Sequence, residues 1–256
     1  MTDFLHGVRR HQGLHGNPHP HPHGGSGAAP ATLRVEVMEG ILDENNRIAA
    51  TTSRLLLEQG IFCVNVMGSP GAGKTTSLVR IMENLKNRRC CVIEGDIESD
   101  IDAQTLRKLG VQTLQINTGG ACHLDAPQIA QALAGMELVK DSILFIENIG
   151  NLVCPAEFTI GEDIKLLVAT VTEGSDKPYK YPLAYEKADC ILINKTDLIP
   201  YLDFDEAFFM KGLRALNRSA PVFKVSGRTG EGFGAVADFI ASLAERNPLS
   251  GKGISQ

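Results

Sequence analysis

Gly68, Gly73, Lys74 and Thr75 stand in the spacing G-x-x-x-x-G-K-[ST] inside the stretch Val64-Asn65-Val66-Met67-Gly68-Ser69-Pro70-Gly71-Ala72-Gly73-Lys74-Thr75-Thr76. Each residue type has a task in holding a polyphosphate. The glycines let the backbone curl so that the N–H groups of Ser69, Gly71, Ala72, Gly73 and Thr76 can face phosphate oxygens, and the helix that follows adds the positive end of its dipole. Lys74 places its ammonium on the terminal phosphates. Thr75 offers a hydroxyl to Mg²⁺. A glycine-rich strand-to-helix turn is the plainer alternative. The context favours phosphate, because Ile61 to Met67 is a strand-like apolar run and Leu78, Ile81, Met82 and Leu85 recur at helical spacing after the loop.

Carboxylates at later strand ends would face the same crevice. Asp96, in Glu94-Gly95-Asp96-Ile97, is a candidate for Mg²⁺ or its water shell. Asp100 could position an attacking water, although Asp100 and Asp102 also suit an acidic helix start. Glu147-Asn148-Ile149-Gly150 lies where phosphate-loop enzymes keep an acidic metal or water ligand and then a glycine whose N–H meets the γ-phosphate. Asn194-Lys195-Thr196-Asp197 follows another apolar run and resembles the guanine-recognition motif of GTPases. An ionised Asp197 can accept from both N1–H and the N2 amino group of guanine, an arrangement adenine does not offer. Lys195 would lay its stem along the base, Asn194 would brace the loop, and Ser226-Gly227-Arg228 resembles the companion loop that reaches guanine O6. GTP is therefore preferred over ATP. Phosphoryl transfer needs positioning, Mg²⁺ and charge stabilisation rather than covalent help, and no residue supplies an obvious arginine finger, so slow intrinsic turnover is expected.

A second chemistry is carried by Cys122, His123 and Cys154. Two thiolates and an imidazole suit Zn²⁺ or Ni²⁺, whereas Mg²⁺ prefers oxygen. Three ligands leave a tetrahedral site incomplete, so a second subunit could finish or share it. Cys154 lies four residues past Gly150, and at about 3.5 Å per extended residue it cannot be further than roughly 14 Å from it. Nucleotide state can therefore reach the sulfur. The bland alternative, a small buried hydrophobe, fits Cys63, Cys90, Cys91 and Cys190, which lie on predicted strands. Six of the seven histidines fall in the first 31 residues, with His19, His21 and His23 alternating with Pro20 and Pro22. Such a tract can collect Ni²⁺, Cu²⁺ or Zn²⁺, or be a solvated linker with accidental bias.

The elements that must position these groups read as alternating strands and helices. A tail, residues 1–32, is too poor in branched apolar residues to order itself. Residues 33–256 make one domain that opens on a helical segment, 33–60, stopped by Gly60. Strands are predicted at Ile61–Met67, Cys90–Glu94, Val111–Ile116, Ser142–Glu147, Lys165–Val171, Cys190–Ile193 and Pro221–Val225. Helices follow the phosphate loop, begin at Asp125 with Pro127 in the first turn, span Phe208 to Leu216, and carry Phe233, Val236, Ile240 and Leu243 on one face. The class is α/β, a mostly parallel, doubly wound sheet with helices on both faces. A net charge of −5 is no nucleic-acid footprint. No run approaches the roughly 18 apolar residues of a membrane span, and no export signal is apparent. The six cysteines are therefore expected as cytoplasmic thiols.

Taken together, G-S-P-G-A-G-K-T, E-G-D-I, N-T-G-G-A-C-H-L-D, I-E-N-I-G-N-L-V-C-P and N-K-T-D resemble the HypB family of hydrogenase maturation GTPases, from about residue 34 to 245. The resemblance implies a SIMIBI-type G domain within the P-loop NTPases and a slow GTPase metallochaperone delivering nickel to the large subunit of [NiFe]-hydrogenase. It also implies a GTP-dependent homodimer, a Zn²⁺/Ni²⁺ site at the dimer interface matching Cys122, His123 and Cys154, and a small nickel-binding maturation protein as partner. Some family members carry an N-terminal C-x-x-C-G-C nickel motif. This sequence has no cysteine before Cys63, and its histidine tail resembles the nickel-storing variant. A nickel storage protein is one alternative. The urease nickel GTPase is another, but it uses Cys-Pro-His, and here Cys154-Pro155 is followed by Ala156. A small-molecule phosphotransferase is a third, for which no acceptor-binding segment is apparent.

Overall fold

The computed structural model describes residues 31–86, 88–95, 106 and 110–246. Asp96, Asp100, Asp102 and the histidines at 19, 21 and 23 lie outside them. Seven strands form one sheet: β1 (Phe62–Gly68), β2 (Cys90–Glu94), β3 (Gln112–Gln115), β4 (Ile143–Glu147), β5 (Ile164–Thr170), β6 (Cys190–Asn194) and β7 (Val222–Lys224). Their order across the sheet is β3-β2-β4-β1-β5-β6-β7, and every neighbouring pair is parallel. All seven predicted strands are present. Their ends shift by a residue or so from the apolar runs, because a flanking apolar residue such as Val171 is buried without joining a ladder.

Eight helices are described: α1 (Ala31–Glu58), α2 (Lys74–Asn84), α3 (Ala126–Ala134), α4 (Cys154–Glu157), α5 (Lys177–Lys180), α6 (Pro182–Lys187), α7 (Glu206–Leu216) and α8 (Phe233–Glu245). The helical segment expected over 33–60 is α1, which gives way at Gly60 in a left-handed conformation, φ 69°. The short helices α4, α5 and α6 were not predicted. Each has Pro in its first turn, so its sequence reads as a turn. Among the described residues no helix is long and apolar enough to cross a membrane.

Burial on both faces explains why the central strands are apolar throughout. On β1, Val64 and Val66 pack with Leu78, Ile81, Val236 and Ile240 of α2 and α8. On the other face Cys63 packs with Leu56 of α1 and Ile129 of α3, and Met67 with Tyr185 and Phe209 of α6 and α7. Asn65 and Lys165 break this pattern. They are register partners on β1 and β5, both buried, and they face the side on which α4 lies.

Parallel strands bring their C-terminal ends to one edge, where the chain leaves β1 into the phosphate loop, β4 into residues 148–151 and β6 into Lys195. Val66 is in register with Glu147, and Gly68 with Val168. This is the edge where an open α/β sheet takes its ligands.

Candidate nucleotide and metal site

The phosphate loop turns at Gly73, whose φ of 91° and ψ of 36° are left-handed. A side chain there would be strained, and its Cβ would stand 2.6 Å from Asn194 Nδ2. Lys74 follows as the first residue of α2 and is buried. Thr75 Oγ1 donates to Glu147 Oε1 at 2.8 Å. Two of the three oxygen groups predicted to serve Mg²⁺ thus meet, one at the start of α2 and one at the end of β4, and this hard donor pair fits that ion.

Asn194 ties the loops of the base site together. Its Nδ2 donates to Ala72 O at 2.9 Å, and its Oδ1 accepts from Lys195 N at 2.7 Å and Gly227 N at 3.0 Å. Lys195 adopts φ 61°, and its ammonium donates to Gly71 O at 2.7 Å. Asp197 Oδ1 accepts from Ser226 Oγ at 2.6 Å, with Arg228 Nη1 at 3.7 Å from its other oxygen. Asn194, Lys195, Asp197, Gly227 and Arg228 border an open cavity of about 350 Å³ that also touches Gly73 and Thr76. The N–H groups of Ser226 and Gly227 are donated within the protein, to Glu231 O and Asn194 Oδ1. The N–H groups of Thr229, Gly230 and Glu231 are likewise donated, to Ser226 Oγ, Ser226 O and Thr229 Oγ1, so the expected N–H to guanine O6 narrows to that of Arg228.

Cys122, His123 and Cys154 also converge. Cys122 Sγ lies 3.2 Å from Cys154 Sγ and 3.3 Å from His123 Nδ1, and one ligand atom from each falls within 4.8 Å of the others. Among the described residues this is the one such cluster of three. The imidazole lies against Phe158 with ring centres 4.2 Å apart and the planes tilted by 37°, and its Nε2 is buried without a partner. Burial holds the His123 pKa below the ordinary imidazole value, opposed by Asp125 and Glu157. That favours the neutral, ligating ring. Burial, then the adjacent Cys122 thiol, raises the Cys154 pKa, while a hydrogen bond from Asn151 acts the other way. The remaining thiols differ in kind. Burial lifts Cys91 to about 11 and Cys90 and Cys190 to about 12, which makes them poor ligands. Cys63 is also pushed well up. Cys90 is half-buried, less enclosed than its strand position suggests.

The elements fix this trio from behind. Asp125 caps α3 by accepting from Gln128 N at 2.9 Å while Gln128 Oε1 accepts from Asp125 N at 3.0 Å. Asn45 of α1 reaches both flanks, accepting from Ala126 N at 2.9 Å and donating to Thr159 O at 2.7 Å. Lys165 Nζ donates to Ala156 O at 3.1 Å and Phe158 O at 2.9 Å, anchoring α4. Buried Asn148 accepts from Leu124 N at 3.0 Å and donates to Asn65 Oδ1 at 3.2 Å. Sequence reasoning gave Asn45, Asn148 and Lys165 no role. The readable signal was a polar residue inside an apolar strand, at Asn65 and Lys165.

Residues 62–224 match the model of the CobW/HypB/UreG family, nucleotide-binding domain. The hydrogenase maturation factor HypB of Rhizobium leguminosarum bv. viciae is 43% identical over 219 residues, covering 85% of this chain and 73% of that protein. The chain belongs to the HypB family. HypB of Azotobacter vinelandii is 47% identical over 203 residues, 79% of this chain, which spans 66% of that relative's length. A crystal structure of HypB from Helicobacter pylori in complex with nickel superposes with a TM-score of 0.76 at 35% identity, covering 80% of this chain and 96% of that one. A parallel-sheet nucleotide-binding fold is thus common to this chain and its HypB relatives.

Proposed function

We propose that the chain is a GTP-hydrolysing metallochaperone that takes up nickel and delivers it to the large subunit of [NiFe]-hydrogenase during maturation. Nickel is the cargo here. The observation that carries the reading is adjacency: one segment, Glu147 to Cys154, contacts Thr75 at its start and ends in a sulfur 3.2 Å from Cys122.

Within this reading Lys74 and the loop N–H groups from Ser69 to Thr76 hold the phosphates, and Gly150 meets the γ-phosphate. Asp197, Lys195 and the Ser226–Arg228 loop select guanine. Thr75, Glu147 and Asp96 would hold Mg²⁺, which when bound neutralises charge developing on the transferred phosphoryl group. Turnover on the isolated chain is slow. Cys122, His123 and Cys154 receive Ni²⁺, with Zn²⁺ as the competing occupant of the same soft donor set. Cys122 is exposed and Val153 beside the site is 53% exposed, so a second copy bound in the GTP state can supply the missing ligand. A small nickel-binding maturation protein then relays the ion to the cytoplasmic hydrogenase precursor.

The test is nickel affinity and dimer fraction with GDP and with a non-hydrolysable GTP analogue, in the parent and in Cys154→Ala. The parent is expected to bind nickel differently in the two states and to dimerise with the analogue, and Cys154→Ala to lose sulfur-bound nickel. Equal affinity and equal dimer fraction in both states would overturn the reading.

A further inference from the structure

The backbone of Asn151 forms an antiparallel bridge with Gly68, the first glycine of the phosphate loop. Its neighbour Gly150 packs so closely on that loop that an added Cβ would stand 3.0 Å from the Pro70 backbone. Whatever moves this part of the loop moves Asn151. Its side chain points the other way along the segment. Nδ2 donates to Cys122 O at 3.2 Å, and Oδ1 accepts from Val153 N at 2.9 Å, directly before Cys154. One amide therefore touches both arms of the sulfur pair while its own main chain is fixed to the phosphate loop.

We propose that Asn151 is the positioning residue through which the nucleotide sets the geometry of the Cys122–Cys154 pair. This rests on the reading of the site as a nucleotide-controlled metal site. A local turn does not explain all of the side chain's contacts. Accepting from a nitrogen two residues on is what Asn does in an Asx turn. Donating to a carbonyl 29 residues away is not needed for that turn. Hydrogen bonds weaken steeply with distance and misalignment. A small shift of residues 150–151 against the loop therefore releases one arm or draws it in. Asn148 holds the same Cys122 loop at Leu124 N, but it is fully buried, and its side chain bonds Leu124 N, Ile149 N and Asn65 rather than Val153 N beside Cys154. It fixes the loop, whereas Asn151 can adjust it.

The test uses the full chain with Ni²⁺, read by the thiolate-to-nickel charge-transfer absorption, which ignores ions held by histidines alone. The measured quantity is the ratio of nickel affinities with GDP and with a non-hydrolysable GTP analogue. Asn151→Ser keeps an acceptor for Val153 N and removes the reach to Cys122 O, and Asn151→Ala removes both. The parent ratio is expected to be at least about fivefold, the lower end of ordinary couplings between sites. Both variants should bring it within about twofold of unity, with affinities for the two nucleotides unchanged when measured in the absence of nickel. A residue that only stabilised the turn would lower nickel affinity equally in both states and keep the ratio. Retention of the parent ratio in Asn151→Ser overturns the inference, and that variant decides should Asn151→Ala fail to fold. A parent ratio of unity would instead overturn the underlying reading and take the inference with it.

Discussion

Asp197 is the residue on which guanine selection depends in the proposed function, and the structure gives it a second duty as acceptor for Ser226 Oγ. Asp197→Asn replaces one oxygen by a donor that faces the donors of guanine. Sites built around such pairing reject a mismatched partner by about 10⁴, so GTP affinity measured by titration should fall by on the order of 10⁴. Ser226→Ala removes one neutral-to-charged hydrogen bond, and a loss of about tenfold is expected from roughly 1.5 kcal/mol. At the metal trio the direction of pH dependence follows from the two shifts. The lowered His123 pKa keeps that ring neutral until the solution is acidic, whereas the raised Cys154 pKa means its proton must leave on binding. Nickel affinity should therefore rise with pH from about 6.5 to beyond about 8.5, the ordinary thiol value, with the Cys154 proton rather than a His123 proton as the one displaced over that range. Each displaced proton adds up to about tenfold per unit. A flat profile of the sulfur-to-nickel absorption would contradict thiolate ligation. The trio was legible in the sequence because its members fall outside the apolar runs that claim the other thiols. Asn151 was not, because Asn in a loop is ordinary and its Cys122 contact depends on how two loops fold together.

The helix α4 carries Cys154, has only four residues, and is too short to be stable by itself. It is held by Lys165, whose ammonium also lies 3.6 Å from Glu162 Oε1, while Glu162 Oε2 accepts from Ile160 N at 2.6 Å. Burial lowers the Lys165 pKa, with Glu162 opposing. Lys165→Met would take the cation away from the Glu162 carboxylate, which keeps only its bonds from Ile160 N and Asn65 Nδ2, and the donor away from the α4 carbonyls. Removing one partner of a buried ion pair costs about 3–5 kcal/mol, which urea denaturation should register as a lower midpoint with an unchanged slope. Nickel affinity should fall with it, because α4 loses its anchor, whereas GTP affinity should change little. Elements of this kind are hard to see in a sequence. The strands announce themselves by continuous apolar runs and the longer helices by their period, but α4, α5 and α6 each start on a Pro-containing turn. A Pro after a loop reads as its continuation. The anchor itself, a Lys within Ile164–Thr170, would have been discounted as a strand-edge charge.

At the scale of the whole molecule, the alternation of strands and helices was enough to give a parallel sheet with its ligand edge, because a parallel pair cannot be joined without a crossover and crossovers take one hand. The same reasoning stops at the tail, where composition has no period to read. The histidines at 19, 21 and 23 are expected from composition to collect nickel, either for storage or for transfer to the trio, and deletion of residues 1–31 separates the two. In a delivery protein the tail enlarges the local supply, so the truncated chain should hold fewer nickel ions. It should keep its charge-transfer band, its nucleotide-dependent affinity and its dimer, since Asn45, Asn148, Asn151 and Lys165, which tie the trio's loops to the sheet, all lie beyond residue 40. Hydrogenase activity in cells would then fall mainly when nickel is scarce. If truncation instead abolished maturation at every nickel level while leaving the trio's absorption intact, the tail would be an obligatory step in transfer. If nearly all bound nickel disappeared and maturation were untouched, the tail would be a store beside a delivery site that works without it.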